Sequence, residues 1–282
     1  MAPSPPPSFG TLHKMVAVVT GASGGIGRAI ALELAAAGAD IVIHGRRQEA
    51  AAEVAAEVEK LGRRAKVILL DLAEPSSHET LVQAAWDWQK GVQIWVNNAG
   101  ADVLTGEAGR WTFERKLEEL WKVDVLASVS LSRLVGEKMH LQTLRGRLPA
   151  GVILNIGWDQ ATHGMAGDSG QMFGCIKGAV MSFTQSLAQS LAPYVRVNCL
   201  APGWIKTNWG ETASDSWQER ARQESLAGRW GTPEDVARAA RFLASPAAEF
   251  ITGQIINVNG GYRYGKGISR PRKAVGVPPK KK

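Results

Sequence analysis

Short hydrophobic runs alternate with amphipathic stretches along most of the chain. The runs are rich in Val and Ile and are bounded by glycine or polar residues, which is typical of buried strands. They predict strands at residues 15–20, 39–44, 65–70, 92–97, 152–156, 195–200 and 254–258. The stretches between them carry hydrophobic residues at helical spacing and predict helices at 26–37, 48–61, 76–89, about 112–139, about 171–191 and 235–243.

This alternation predicts the fold class. Strands that are separated by helices cannot form hairpins, so they run parallel and are joined by right-handed crossovers. The expected architecture is an α/β doubly wound parallel sheet with helices on both faces. No linker interrupts residues 14–262, which predicts one domain. Residues 204–231 lack a clear strand and are expected to form a flap over the ligand crevice.

Composition narrows the class of protein. The chain has 282 residues, of which 45% are hydrophobic and 21% charged, as in ordinary globular domains. It has no apolar run long enough to span a bilayer and no signal peptide at its start, which predicts a cytoplasmic protein without a membrane partner. Two cysteines, Cys175 and Cys199, are too few for a disulfide framework, and no His/Cys cluster has metal-ligand spacing, so no metal site is expected.

The two ends of the chain differ from its body. The net charge is +7, but residues 263–282 alone carry +8, which leaves −1 for residues 1–262. Residues 263–282 are therefore expected to form a flexible basic tail, and nucleic acid is not an expected partner of the body. Four prolines within residues 1–13 predict a flexible leader.

Glycines cluster where the first predicted strand meets the first predicted helix. Residues 20–27 read Thr-Gly-Ala-Ser-Gly-Gly-Ile-Gly. Glycine lets the backbone turn tightly and approach a pyrophosphate, and the free amides at a helix N-terminus attract that anion. The position of the cluster between strand and helix predicts a dinucleotide-binding loop.

Several motifs in a fixed order resemble the short-chain dehydrogenase/reductase family. The loop matches the family's T-G-x-x-x-G-x-G, residues 97–100 match N-N-A-G, and residues 202–207 match P-G-x-x-x-T. The resemblance covers about residues 14–262 and implies a Rossmann-type fold, a nicotinamide cofactor, and a homodimer or homotetramer. The cofactor-binding residues that it implies are Gly21, Ser23, Gly25, Ile26, Gly27, Arg46, Arg47, Asp71, Leu72, Asn98, Ala99, Gly100, Lys177, Pro202, Gly203, Ile205 and Thr207.

The end of the second strand decides which dinucleotide is expected. An acidic residue there would bind a ribose 2′-hydroxyl and repel a 2′-phosphate. Gly45 stands where NAD-preferring relatives carry Asp, and it is followed by Arg46 and Arg47. Their guanidinium groups suit a phosphate, so NADP(H) is the expected cofactor.

The family's catalytic pattern is broken at the proton donor. In relatives a Tyr hydroxyl supplies or takes the proton, and a Lys four residues later lowers the pKa of that Tyr and holds the nicotinamide ribose. Lys177 matches the Lys, but Phe173 occupies the Tyr position and has no proton to give. Neither Tyr194 nor the tyrosines beyond residue 260 precede Lys177 on its helix.

Two further family positions differ. After the fifth strand, where relatives have a Ser that polarises the carbonyl, residues 155–160 read Asn-Ile-Gly-Trp-Asp-Gln. Asp159 or Gln160 is nearest to the lost Ser. Asp124 stands where the family has an Asn that orders a water, and it would pair with Lys177 if the two are close.

The remaining candidates concern the acid and the substrate. Asp159 is the first candidate for a replacement acid, because a carboxylate in an aromatic pocket can have a raised pKa, and His163 is a weaker alternative. The expected substrate pocket comprises Trp158, His163, Trp204 and Trp209 and would stack a flat small molecule.

Losing the Tyr and the Ser removes acid catalysis that is worth about 10²–10⁴-fold. We therefore expect an atypical NADPH-dependent reductase that transfers hydride to a conjugated carbonyl or C=N acceptor. The alternative is a catalytically silent, NADP-binding family member that acts as a sensor or a partner subunit.

Overall fold

The computed structural model describes residues 10–89, 91–146 and 150–263, without the side chains of residues 208 and 209. Most of the expected leader and tail therefore lies outside the described residues. Within them, no helix has the length and apolar character needed to cross a bilayer.

Seven parallel strands form one sheet in the order β3-β2-β1-β4-β5-β6-β7. The strands are β1 (Val16–Val19), β2 (Asp40–Gly45), β3 (Ala65–Leu69), β4 (Ile94–Asn97), β5 (Gly151–Ile156), β6 (Val195–Pro202) and β7 (Ile255–Val258). All seven follow the sequence prediction to within two residues at either end. The order reverses between β1 and β4, which places a crevice at the carboxyl ends of these two strands.

Helices cover both faces of the sheet, as the hydrophobic pattern predicts. The helices are α1 (Gly25–Ala36), α2 (Gln48–Lys60), α3 (Ser76–Gln89), α4 (Phe113–Leu120), α5 (Ala127–Leu144), α6 (Asp168–Leu191), α7 (Asn208–Thr212), α8 (Asp215–Glu224) and α9 (Pro233–Ala244). One core joins the sheet to α1, α2 and α9, and a second joins it to α3, α5 and α6. Alternation within β1 separates the two cores, since Val19 packs in the first and Val18 in the second.

The helical stretch predicted at about residues 112–139 runs from Phe113 to Leu144, but it is not one regular α-helix. A π-helical turn, Trp121–Leu126, separates α4 from α5. Three consecutive residues of this turn, Val123, Asp124 and Val125, are buried. The turn thereby directs Asp124 into the molecule, and π-turns of this kind are frequent at functional sites.

The predicted flap also contains helices that the sequence analysis does not predict. Residues 204–231 include the short helices α7 and α8, where no helix was expected. Backbone hydrogen bonds pair the end of this segment with the residues after β7, for example Leu226 N–H to the Gly261 carbonyl at 2.9 Å. The flap is therefore attached to the body at its carboxyl end.

A buried carboxylate anchors the start of β2. Asp40 is the first residue of β2, with its side chain 5% exposed, 2.6 Å from Arg63 and 2.8 Å from Arg64. Burial raises the pKa of Asp40, but hydrogen bonds from the two arginines outweigh burial and hold the pKa below its ordinary value of 3.8. The ionised carboxylate therefore stabilises the fold.

We predict that Asp40→Asn lowers the free energy of unfolding by about 2–3 kcal/mol near pH 7, because the two arginines lose a buried charged partner. The folded pKa lies below the unfolded one, so this contribution is complete above about pH 4 and is lost as the pH falls through the folded pKa. Urea unfolding from about pH 7 to pH 3 measures both effects.

The matched control is Glu57→Gln, which removes the half-exposed ion pair of Glu57 with Arg28 at 2.6 Å. Screening by water limits its effect to about 0.5 kcal/mol. Equal effects of the two substitutions would show that burial of Asp40 does not strengthen its contribution.

Candidate functional site

A cleft of about 600 Å³ opens at the carboxyl ends of β1, β2, β3 and β4, where the strand order reverses. Eleven of the predicted cofactor residues line it: Gly21, Ser23, Gly25, Arg46, Arg47, Asp71, Leu72, Asn98, Ala99, Gly100 and Thr207. The other six do not line this cleft: Ile26, Gly27, Lys177, Pro202, Gly203 and Ile205. The sequence motifs therefore converge on one crevice and on the segments beside it.

The glycine loop leaves no room for side chains at two positions. A Cβ on Gly27 would lie 2.2 Å from the Gly21 carbonyl oxygen, so α1 and the loop touch through bare backbone. Gly21 also adopts a positive φ of 63°. At Gly24, the N-cap of α1, no side chain caps the helix, so its first amides face outward. This is a cradle that fits a pyrophosphate.

Polar contacts hold the loop against β4. The Asn98 amide donates to the carbonyls of Thr20 at 3.0 Å and Gly21 at 3.2 Å. In return, the Thr20 hydroxyl accepts the backbone N–H of Asn98 at 2.9 Å and of Ala99 at 3.0 Å. The side chains of Asn98 and Thr20 therefore join the segments that follow the parallel strands β1 and β4.

Basic groups line the end of the cleft beyond β2. Arg46 lies 3.8 Å from Asp71, and both side chains are about half exposed. Arg47 is the N-cap of α2 and makes no side-chain capping bond, which leaves the first amides of α2 open. A Cβ on Gly45 would lie 3.2 Å from the Ser23 hydroxyl, so Ser23 is close by. Two guanidinium groups, a hydroxyl and a helix N-terminus together suit a phosphate.

A buried ion pair lies beside Gly100. Lys177 Nζ, on α6, is 2.8 Å from Asp124 Oδ1, and the two side chains are 15% and 3% exposed. Asp124 Oδ2 accepts the Ala101 backbone N–H at 2.9 Å, while Lys177 also lies 3.4 Å from the Ile156 carbonyl oxygen. The predicted approach of Asp124 to Lys177 is thus a direct contact. The charge of this lysine is balanced within the protein.

Phe173, one turn before Lys177 on α6, packs against an aromatic ring. Its ring meets that of Trp158 edge to face, with 6.2 Å between centroids. Trp158 immediately precedes Asp159 and Gln160, the two residues that the sequence places nearest to the lost Ser. Asp159 and Gln160 are instead buried, at 2% and 1% exposure.

Asp159 is enclosed. Its Oδ2 accepts a hydrogen bond of 2.9 Å from the Asn259 amide, whereas buried Oδ1 lacks a well-aligned hydrogen bond within the described residues. Burial raises the pKa of Asp159, and the hydrogen bond from Asn259 and the charge of His163 only partly offset it. This carboxyl group holds its proton more tightly than a surface aspartate.

The predicted pocket residues are engaged with the protein itself. His163 stacks on Tyr262 at 4.8 Å between centroids. Trp204 donates from Nε1 to Glu224 at 2.8 Å, and its ring lies 5.4 Å from that of Trp217. The Trp209 side chain lies outside the described residues. Trp204 therefore attaches α8 to the end of β6, in addition to any surface it offers a ligand.

Two polar groups at the site, His44 and Asn259, are absent from the sequence prediction. His44 interrupts the aliphatic β2, and its ring contacts the glycine loop; Asn259 follows β7 and holds Asp159. Each lies at the carboxyl end of a strand, the edge where ligands bind in folds of this kind, and that position was the signal in the sequence that could have identified them.

No group of three His, Cys, Asp or Glu side chains in the described part of the chain could hold a metal ion.

Known proteins share this architecture and much of this sequence. The family described as enoyl-(acyl carrier protein) reductase matches residues 21–263. The 3-oxoacyl-acyl-carrier-protein reductase of Aquifex aeolicus is 35% identical over 257 residues, which cover 89% of this chain and 98% of that protein.

Two solved structures extend the comparison. A short-chain dehydrogenase from Burkholderia cenocepacia in complex with NADP is 31% identical, with a TM-score of 0.78 and coverage of 89% of this chain and 98% of that one. A 7α-hydroxysteroid dehydrogenase complexed with NADH and 7-oxo glycochenodeoxycholic acid is 30% identical, with a TM-score of 0.81 and coverage of 90% and 96%. The chain belongs to the short-chain dehydrogenase/reductase family of oxidoreductases.

Proposed function

We propose that this protein is an NADPH-dependent reductase that transfers hydride to a conjugated carbonyl or a C=N bond of a flat small molecule. The observation that carries the proposal is the composition of the polar centre. A charge-balanced Lys177–Asp124 pair accompanies an aromatic pair, Trp158 and Phe173, in the region where the family resemblance implies the hydroxyl groups of a Tyr and a Ser. An acceptor that needs little acid assistance suits such a site.

The cofactor would supply the hydride, and the chain's own groups would bind and orient it. The outward amides at the start of α1 favour the pyrophosphate, and Gly27 keeps the approach clear. Arg46, Arg47 and Ser23 favour a 2′-phosphate, which supports NADP(H) over NAD(H). Both cofactors occur among the structural relatives, NADP in one and NADH in another.

Lys177 and Asp124 would position the reacting end of the cofactor. Because the Asp124 carboxylate is held by the Ala101 amide as well as by Lys177, the lysine has a fixed location with little freedom to move. Neither Lys177 nor Asp124 has a hydroxyl group to donate a proton. The Tyr that the family resemblance implies in place of Phe173 would have one. The substrate would therefore need to be protonated already or to delocalise the incoming charge.

Asp159 is the proposed polar group closest to the substrate side. Its raised pKa and its second oxygen without a well-aligned hydrogen bond support a group that orients or supplies a proton to a nitrogen-bearing acceptor. Since only 2% of Asp159 is exposed, it would act through a movement of the flap or through a bridging water. Trp158, Phe173 and Trp204 would supply aromatic surface for a planar ring.

We further propose a cytoplasmic homodimer or homotetramer, as the family resemblance implies.

A second function is supported by the same aromatic pair, Trp158 and Phe173. A member that binds NADP(H) without turning it over would keep the cofactor cleft and lose the hydroxyl groups. The two functions differ in turnover and not in affinity for the cofactor.

We predict that quenching of Trp fluorescence will give an NADPH Kd at least about tenfold below that for NADH. Arg46→Leu should weaken NADPH binding by about ten- to a hundredfold and leave NADH within about threefold, because only NADPH offers the phosphate that a guanidinium binds. Arg28→Leu is the control, since Arg28 pairs with Glu57 away from the cleft. Equal loss of both cofactors in Arg46→Leu would contradict the assignment of Arg46 to the phosphate.

We predict that NADPH oxidation, followed at 340 nm against ketones, quinones, imines and pterins, will occur with conjugated or C=N acceptors and not with simple ketones. Lys177→Met should lower turnover at least about a hundredfold. Tight NADPH binding with no turnover on any acceptor would instead favour the silent family member. Failure to bind either dinucleotide would refute both functions.

We predict that the double substitution Trp158→Ser with Phe173→Tyr will raise simple ketone reduction by about 10²–10⁴-fold, because it supplies the two hydroxyl groups that assist carbonyl reduction. The double substitution Trp158→Ala with Phe173→Leu is the matched control, since it opens the same space without hydroxyl groups. A similar gain in both variants would show that access limits ketone reduction, and not the missing acid.

A further inference from the structure

The cleft contains a buried histidine that neither the motifs nor the comparisons explain. We infer that His44 is a positioning residue, which sets the conformation of the glycine loop and thereby the affinity for both dinucleotides. The inference rests on the proposed function, because it assigns the loop to a nicotinamide dinucleotide. His44 lies in β2, is 2% exposed and is among the residues that line the cleft.

His44 connects the ends of three strands. Its Nδ1 accepts the backbone N–H of Gly21 at 3.3 Å, just after β1, and its Nε2 lies 3.1 Å from the Leu70 carbonyl oxygen, just after β3. A carbonyl oxygen only accepts hydrogen bonds, so the proton of the neutral ring lies on Nε2 and Nδ1 is free to accept. One neutral tautomer therefore satisfies both contacts.

The contacts of His44 determine which loop amides remain for a ligand. Its ring accepts the Gly21 N–H, and its own carbonyl accepts the Ala22 N–H at 2.8 Å. Two successive amides thus point into the protein, while Asn98 holds the Gly21 carbonyl at 3.2 Å from the other side. The amides that stay available for a phosphate are those at the start of α1.

The electrostatic surroundings keep this ring neutral. Burial lowers the pKa of His44 to about 4, the Leu70 carbonyl and the charge of Asp71 raise it, and the charge of Arg46 lowers it. A protonated ring would carry a proton on Nδ1 and could no longer accept from Gly21. Near neutral pH His44 is therefore a constant structural support for the loop.

A loop-positioning function and simple core packing make different predictions for amide substitutions. Asn reaches about as far as Nδ1 of the ring and can accept from Gly21, but it does not reach Leu70. Gln reaches about as far as Nε2 and can donate to Leu70, but it offers no acceptor at the place of Nδ1. His44→Asn and His44→Gln are thus a matched pair of polar substitutions that separate the two hydrogen bonds.

The test compares wild type, His44→Asn, His44→Gln and His44→Leu in titrations with NADPH and NADH, with Tm as a measure of folding. We expect His44→Gln and His44→Leu to weaken both dinucleotides by about tenfold and by the same factor, the loss that one hydrogen bond predicts. His44→Asn should stay within about threefold of wild type. Equal weakening by Asn and Gln, or an effect confined to Tm, would overturn the inference.

A second measurement does not depend on nucleotide binding. Nitrogen-15 NMR of the ligand-free protein reports the tautomer of His44, and hydrogen exchange reports protection of the Gly21 amide. We expect a proton on Nε2 and loss of Gly21 protection in His44→Gln but not in His44→Asn. The reverse pattern, or an unprotected Gly21 in wild type, would refute the positioning of the loop by His44. If wild type binds no dinucleotide, the proposed function fails, and the NMR result still decides whether His44 holds the loop.

Discussion

The close contact between Gly27 and the Gly21 carbonyl is the constraint on which the candidate site depends. With room for no Cβ between them, α1 starts directly over the end of β1, at the point where the strand order reverses. That approach brings the first amides of α1 to the cleft and lets Asn98 reach across from β4 to the loop carbonyls. A side chain at Gly27 would separate helix and loop, and the cradle would be lost.

The basic side chains near this contact form two groups, one exposed and one buried. At the β2 end of the cleft, Arg46 and Arg47 are exposed, so they keep positive charge available for an anionic ligand. At the α6 end, Lys177 is buried and paired with Asp124. Buried pairs of this kind fix geometry more than they add stability, because the desolvation of both charges offsets their attraction. Positive charge is therefore exposed at the cleft itself, whereas the charge of Lys177, beside the cleft, is balanced by Asp124.

The sequence predicts the sheet, the faces of the helices and the glycine loop, because these follow from periodicity and from backbone sterics. It does not predict the π-helical turn at Asp124, since one additional residue per turn changes the spacing only locally. It places Asp159 or Gln160 nearest to the lost Ser, and it does not predict that Trp158 packs against Phe173. Which side chain of a loop turns inward depends on tertiary packing, and a single chain offers no periodic signal for it.

The contacts that attach the flap to the body of the protein involve the same segment that holds Asp159. Trp204 holds Glu224 of α8, and the backbone of Leu226 pairs with Gly261, so the segment is tied to β6 at its start and to the residues after β7 at its end. Asn259, between β7 and that pairing, also holds Asp159. Displacing the flap would therefore disturb the surroundings of the buried carboxyl group. The flap and the buried carboxyl group of Asp159 are therefore connected through the same short segment after β7.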